Sequence, residues 1–212
     1  MLIISGGRVD ESFLSDFLRK ENFSMIIAAD YGLTIADRLN IKPDWIVGDF
    51  DSVPEEVITK YSASTIPIYT YPTEKDKTDT EIAIELALEH KATDIYIVGG
   101  TGSRIDHTLA NIHLLMLPME LQINAFLVDP NNKIYLKNES FTIIKEKQFG
   151  ENVSLLPFGE QVKGLTLKGF KYPLKDITYG IGSSLGISNE IKEEVGIIEI
   201  LEGILIVIES RD

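Results

Sequence analysis

The chain has 212 residues, 44% of them hydrophobic and 25% charged, with a net charge of −13 and no cysteine. Such a composition supports a buried core, in one large domain or two small ones. It argues against a nucleic-acid partner, whose phosphates select basic faces, and it excludes disulfides, thiolate nucleophiles and Cys–zinc sites. No membrane association is expected. The apolar start Met1-Leu2-Ile3-Ile4 stops at Ser5-Gly6-Gly7, and the longest apolar run, Gly203–Ile208, is strand-sized. A cytoplasmic location is the default expectation.

Leu2–Ser5, Met25–Ala29, Trp45–Gly48, Thr65–Tyr69, Asp94–Val98 and Gln122–Val128 are short, mostly apolar runs that read as strands buried on both faces. Helical spacing is expected over Glu11–Lys20, Tyr31–Leu39, Thr78–Glu89 and Ile105–Leu115, the last stopped by Pro118. Thr78-Asp79-Thr80-Glu81 has the form of a capping box. Strand–helix alternation predicts an open, mostly parallel α/β sheet over residues 1–129. Beyond Asp129–Asn132 the long helical patterns cease. Lys133–Leu136, Ser140–Lys145, Asn152–Leu156, Val162–Leu167, Gly196–Leu201 and Ile204–Ile208 predict an all-β domain over 130–212, a sandwich or a barrel, with Glu202-Gly203 as a tight hairpin turn.

Ligands of open α/β sheets bind beyond the carboxyl ends of strands, and several polar segments fall there. Gly48-Asp49-Phe50-Asp51-Ser52 offers two carboxylates that can converge on a hard cation, with Phe50 free to anchor the loop. The competing reading is a helix cap by Asp51 or Ser52; Asp49 lies too early to cap. Lys75-Asp76-Lys77-Thr78-Asp79 sets lysines for phosphate and aspartates for metal just before a capped helix, or forms a solvated loop with a routine cap. Gly99-Gly100-Thr101-Gly102-Ser103-Arg104-Ile105-Asp106-His107 suits close approach of backbone to phosphate, although it matches neither a Walker loop nor GxGxxG. Its Arg104 can grip phosphate oxygens in two-point fashion, while His107 alone reads more readily as structural. Asp30 adds a further strand-end carboxylate. An acidic rim interleaved with cations and glycine loops fits an Mg²⁺–nucleotide better than an apolar ligand.

Taken in order, Ala29-Asp30-Tyr31-Gly32, Gly48–Ser52, Lys75–Asp79, Gly99–His107 and Gly186-Ile187-Ser188-Asn189-Glu190 resemble the thiamine pyrophosphokinase family, in its bacterial form, over nearly the whole chain. The resemblance implies an α/β domain followed by a β-sandwich. It implies transfer of the pyrophosphoryl group of ATP to the thiamine hydroxyl, giving AMP and thiamine diphosphate. Asp49, Asp51 and Asp79 would be the catalytic carboxylates, with Asp76 joining them as metal ligands for Mg²⁺, or Mn²⁺ in its place. Asp30, Lys75, Thr101, Gly102, Arg104, Asp106, His107 and Asn111 would lie at the ATP, and Ser188 and Asn189 at thiamine. A homodimer is also implied, its active site combining the α/β domain of one subunit with the β domain of the other. Tyr31 stands where many members have glycine. Three other readings stay open on the residues: a pyrophosphokinase for another alcohol such as a hydroxymethyl pterin, a metal-dependent phosphohydrolase, and a nucleotide sensor without turnover.

Overall fold

A computed structural model describes residues 1–70 and 77–212. The chain divides into two compact units, Met1–Pro130 and Asn131–Asp212.

The first unit is an α/β sheet. Its strands are β1 (Leu2–Ile4), β2 (Ile26–Ala29), β3 (Trp45–Gly48), β4 (Ile68–Thr70), β5 (Asp94–Val98) and β6 (Asn124–Val128). They lie in the order β4-β3-β2-β1-β5-β6, and every neighbouring pair is parallel. Helices α1 (Glu11–Lys20), α2 (Gly32–Arg38), α3 (Glu55–Ser62), α4 (Asp79–Glu89), α5 (Ile105–Leu114) and α6 (Met116–Glu120) connect them. Leu2, Ile3 and Ile4 are fully buried. Alternation along the strand sends Leu2 and Ile4 into one cluster with Leu14 of α1, Leu33 of α2 and Val57 of α3, leaving Ile3 on the opposite face. That is why the strands read as continuous apolar runs rather than alternating ones. Asp10 caps α1 by accepting the Phe13 N–H at 2.8 Å. The path runs outward from β1 to β4, then returns to β5 on the other side of β1. The reversal places a switch point between β1 and β5, where the loops leaving neighbouring strand ends diverge and a crevice opens.

The second unit is built of two antiparallel sheets, as the sandwich expectation requires. One has the order β7-β13-β9, from β7 (Asn132–Lys137), β9 (Asn152–Pro157) and β13 (Leu205–Ser210). The other is β11-β10-β12-β8, from β8 (Phe141–Ile144), β10 (Gln161–Lys168), β11 (Leu174–Gly180) and β12 (Val195–Glu199). Leu205 and Val207 of β13 and Leu165 and Ile198 of the other sheet are fully buried. Buried Glu209 accepts from the Tyr135 hydroxyl at 3.0 Å and the Phe149 N–H at 2.7 Å. Each of its two oxygens thereby has a donor inside the unit.

Several expectations need correction. Glu202-Gly203 is not a hairpin turn: β12 pairs with β10 and β8, whereas β13 pairs with β7 and β9, so the turn carries the chain from one sheet to the other. Pro118 does not end a helix but sits within α6, where its missing N–H falls in the first turn and costs no hydrogen bond. Strand β11 is not among the expected elements, and helix α3 enters them only as the helix that the cap reading of Asp51-Ser52 requires.

Candidate functional site

At the switch point a cavity of about 460 Å³ opens within the first unit. Its walls come from three strand ends and one helix start. Ser5-Gly6-Gly7-Arg8 leaves β1, Asp30-Tyr31 leaves β2, and Gly99–Arg104 leaves β5. Thr78-Asp79-Thr80 begins α4, and His107, Thr108 and Asn111 of α5 close the remaining side.

The two glycine loops are fitted to each other. The Gly7 N–H donates to the Gly99 carbonyl at 3.0 Å, and a side chain at Gly7 would overlap that same carbonyl. Gly99 has φ +72°, and a Cβ there would come within 2.5 Å of the Ser5 carbonyl oxygen. Behind the loops, the Ser5 and Thr80 hydroxyls share a buried hydrogen bond of 2.6 Å, fixing the start of α4 to the end of β1. Thr78 caps α4 by accepting the Glu81 N–H at 3.2 Å, the first half of the anticipated capping box. Asn111 is buried and donates to the Gly100 carbonyl at 2.7 Å, and the Thr101 hydroxyl donates to Asp129 at 2.8 Å. Both side chains hold the β5 loop in shape.

Asp30 stands at the border of this cavity and of an acidic cluster. Carboxylate oxygens of Asp30, Asp49 and Asp51 lie within 4.8 Å of one another. Burial pushes the Asp30 carboxyl up, and the neighbouring charges of Asp79 and Asp49 push it further; the Ser52 hydroxyl, at 2.8 and 2.9 Å from its two oxygens, opposes the rise. Three like charges so close repel unless a cation joins them. An all-oxygen set of this kind suits a hard divalent ion such as Mg²⁺. The cap reading of the same loop fails: α3 starts at Glu55 behind Pro54 with no side-chain cap, and Ser52 is committed to Asp30. Phe50, at φ +63°, packs against the core and turns the loop so that Asp49 and Asp51 meet Asp30.

The remaining expected residues divide. Thr101, Gly102, Arg104, His107, Asn111 and Asp79 all line the cavity. Asp106 does not; exposed at the start of α5, it receives the Arg104 guanidinium at 2.6 and 3.2 Å and the His107 N–H at 3.0 Å, which hold its carboxyl down at about 2. Lys75 and Asp76 lie outside the described residues. Lys77 pairs with Glu85 at 2.6 Å on the exposed side of α4. In the second unit, Asn189 is buried. Its carbonyl accepts the Tyr172 and Glu190 N–H groups at 3.0 and 2.9 Å, and its amide donates to the Tyr172 carbonyl at 2.8 Å. Ser188, at φ +53°, is exposed beside it, its N–H bound to Ser154 at 2.9 Å. Ser5–Arg8 joins the cavity wall without having been among the expected site residues. The available signal was the glycine pair directly after the first strand.

Comparison with known proteins bears on this arrangement directly. Residues 18–127 match the family model for the thiamin pyrophosphokinase catalytic domain, and residues 140–205 match that for its vitamin B1 binding domain. The thiamine pyrophosphokinase of Bacillus subtilis is 35% identical over 192 residues, covering 91% of this chain and 90% of that one. The chain belongs to the thiamin pyrophosphokinase family. The crystal structure of the Bacillus subtilis thiamine pyrophosphokinase superposes with a TM-score of 0.88 at 34% identity, over 100% of this chain and 98% of that one. The thiamin pyrophosphokinase of Geobacillus thermodenitrificans does so at 0.85 and 32%, over 100% and 97%. The family's reaction passes the pyrophosphoryl group of ATP to thiamine and releases AMP. No helix among the described residues is long and apolar enough to cross a membrane.

Proposed function

We propose that this chain carries out that transfer on the acidic rim of its first unit, with ATP in the switch-point cavity. The observation that carries the reading is the meeting of Asp30, Asp49 and Asp51 within 4.8 Å beside a cavity walled by two glycine loops. Neither part explains the other unless a polyanion and a cation are held together.

Asp49 and Asp51, with Asp30 and Asp79 adjoining, would hold Mg²⁺. When bound, that ion neutralises charge on the transferring group. The chain's own part is mainly alignment. The Gly99–Gly102 loop brings backbone close to the phosphates, Arg104 and His107 edge the cavity, and Thr101 and Asn111 keep the loop shaped for them. The thiamine hydroxyl attacks the β-phosphorus in line and AMP leaves. Its proton passes to a nearby carboxylate, for which Asp51 and Asp79 are the candidates. Ser188, and Asn189 through the loop it holds, serve thiamine. The enzyme acts as a cytoplasmic homodimer, a reading supported by the family resemblance.

The test is product identification. Incubation with ATP, Mg²⁺ and thiamine is expected to yield AMP and thiamine diphosphate in equal amounts. Free phosphate formed without thiamine would instead indicate a phosphohydrolase, and binding of ATP without products a sensor. Asp49→Asn is expected to lower kcat at least about a hundredfold, in the range for loss of a single preorganised electrostatic group, with an unchanged unfolding midpoint. Full activity in that variant would remove Asp49 from the site.

A further inference from the structure

Arg8 is a cation in the cavity wall with no role in the scheme above. It lies exposed in the loop leaving β1, the central strand, and faces the same space as Arg104 from the other side of the switch point. Its backbone is fixed: Gly7 is bonded to Gly99, and the Arg8 amide nitrogen is the nearest atom to the open side of Gly102, 3.6 Å from where a Cβ would stand. The two glycine loops therefore present one arginine each, on clamped main chain.

The two guanidinium groups differ in commitment. Arg104 is held by Asp106 through two hydrogen bonds. Arg8 has no ion pair within 4.0 Å among the described residues. The acidic group nearest in sequence, Asp10, is already engaged, accepting the Ser12 hydroxyl at 2.6 Å and the Phe13 N–H at 2.8 Å as the cap of α1. Asp10 feels the charge of Arg8 but makes no salt bridge with it, and neither do the cavity carboxylates Asp30 and Asp79, so the guanidinium keeps its donors for an anion entering the cavity. A guanidinium fork matches two phosphate oxygens at once.

We propose that Arg8 binds the phosphate chain of ATP, opposite Arg104, and is a positioning residue for the nucleotide. The proposal rests on the reading of the cavity as the ATP site. Arg8 forms no salt bridge among the described residues and only a weak charge interaction with the Asp10 cap, so its substitution is expected to spare the fold and act on nucleotide affinity.

The experiment is steady-state kinetics on wild type, Arg8→Ala and Arg8→Lys, varying ATP and thiamine separately, with thermal unfolding recorded for each. Arg8→Ala is expected to raise KM for ATP about tenfold to hundredfold, the range for losing a charge-assisted pair of hydrogen bonds, with KM for thiamine within twofold. Arg8→Lys keeps the charge but not the fork and falls between the two. An unchanged KM for ATP in Arg8→Ala overturns the proposal. So does a lowered unfolding midpoint with both KM values and kcat impaired alike in the two variants, which marks a structural role. Failure of the wild type to form AMP from ATP and thiamine strikes instead at the proposed function, and is read before any variant is measured.

Discussion

Two carboxylates, one at the cavity and one outside it, respond to their surroundings in opposite directions. Asp30 is pushed up by burial and by Asp79 and Asp49, whereas Asp106 is drawn down to about 2 by Arg104 and the His107 N–H. For Asp106 the folded value lies below the ordinary 3.8, so whatever its ion pair contributes is complete above pH 4 and lost as pH falls toward 2. A carboxyl titration by NMR is expected to place the Asp106 midpoint near pH 2, and Arg104→Gln to return it toward 3.8. A midpoint unmoved by that substitution would break the assignment. These side chains differ in how readable they are. Asp49 and Asp51 declare themselves because two acids just after a buried strand have few structural uses. Arg8 does not, since one arginine after two glycines is ordinary until the fold sets it against Gly102. Lys77 is plain in the sequence as a charge, whereas its pairing with Glu85, eight residues on, is not, because no local spacing rule links the two.

The N-terminus of α4 is where element stability and the site meet. Thr78 caps the helix, and the next two residues, Asp79 and Thr80, enter the cavity wall. Thr78→Ala should cost about 1 kcal/mol, as helix caps do, lowering the unfolding midpoint by roughly 2–4 °C in a chain of this size. It should also raise KM for ATP, because the turn that carries Asp79 frays. Calorimetry and kinetics on the one variant check both; a stability loss with unaltered kinetics would mean that the Ser5–Thr80 bond alone secures the turn. Strands β1, β2, β3 and β5 are legible because both their faces are buried, leaving few polar residues to interrupt the run. Strand β11 escaped notice because Leu174–Gly180 is an edge strand with exposed Lys175 and Asp176. Glu202-Gly203 is ambiguous in the sequence because the same turn chemistry serves a hairpin and a crossing between sheets, and only strand pairing distinguishes them.

At the scale of the molecule, the first unit owes its site to topology. Reversing the strand order at β1 makes room for the glycine loops and gathers residues as distant in sequence as Ser5 and Asn111. The division into α/β and all-β parts was legible in the change of texture near residue 130; the pairing of the β1 and β5 loops was not, because no local pattern encodes which strands become neighbours. ATP at a hundred times its dissociation constant, with Mg²⁺, should stabilise the fold by about 2.7 kcal/mol, a rise of roughly 5–10 °C in the unfolding midpoint. A chelator should abolish most of that rise if the carboxylates act through a metal. An equal shift with and without chelator would leave the acidic cluster without its proposed ion. The Ser5–Thr80 bond has a consequence of another kind. Removing one hydroxyl strands the other in the interior, whereas replacing both with apolar groups of like shape comes close to neutral. The pair is thus a small barrier in sequence space. Descendants of this chain are expected to keep both hydroxyls or neither, and the single-substitution intermediates to be the rare ones.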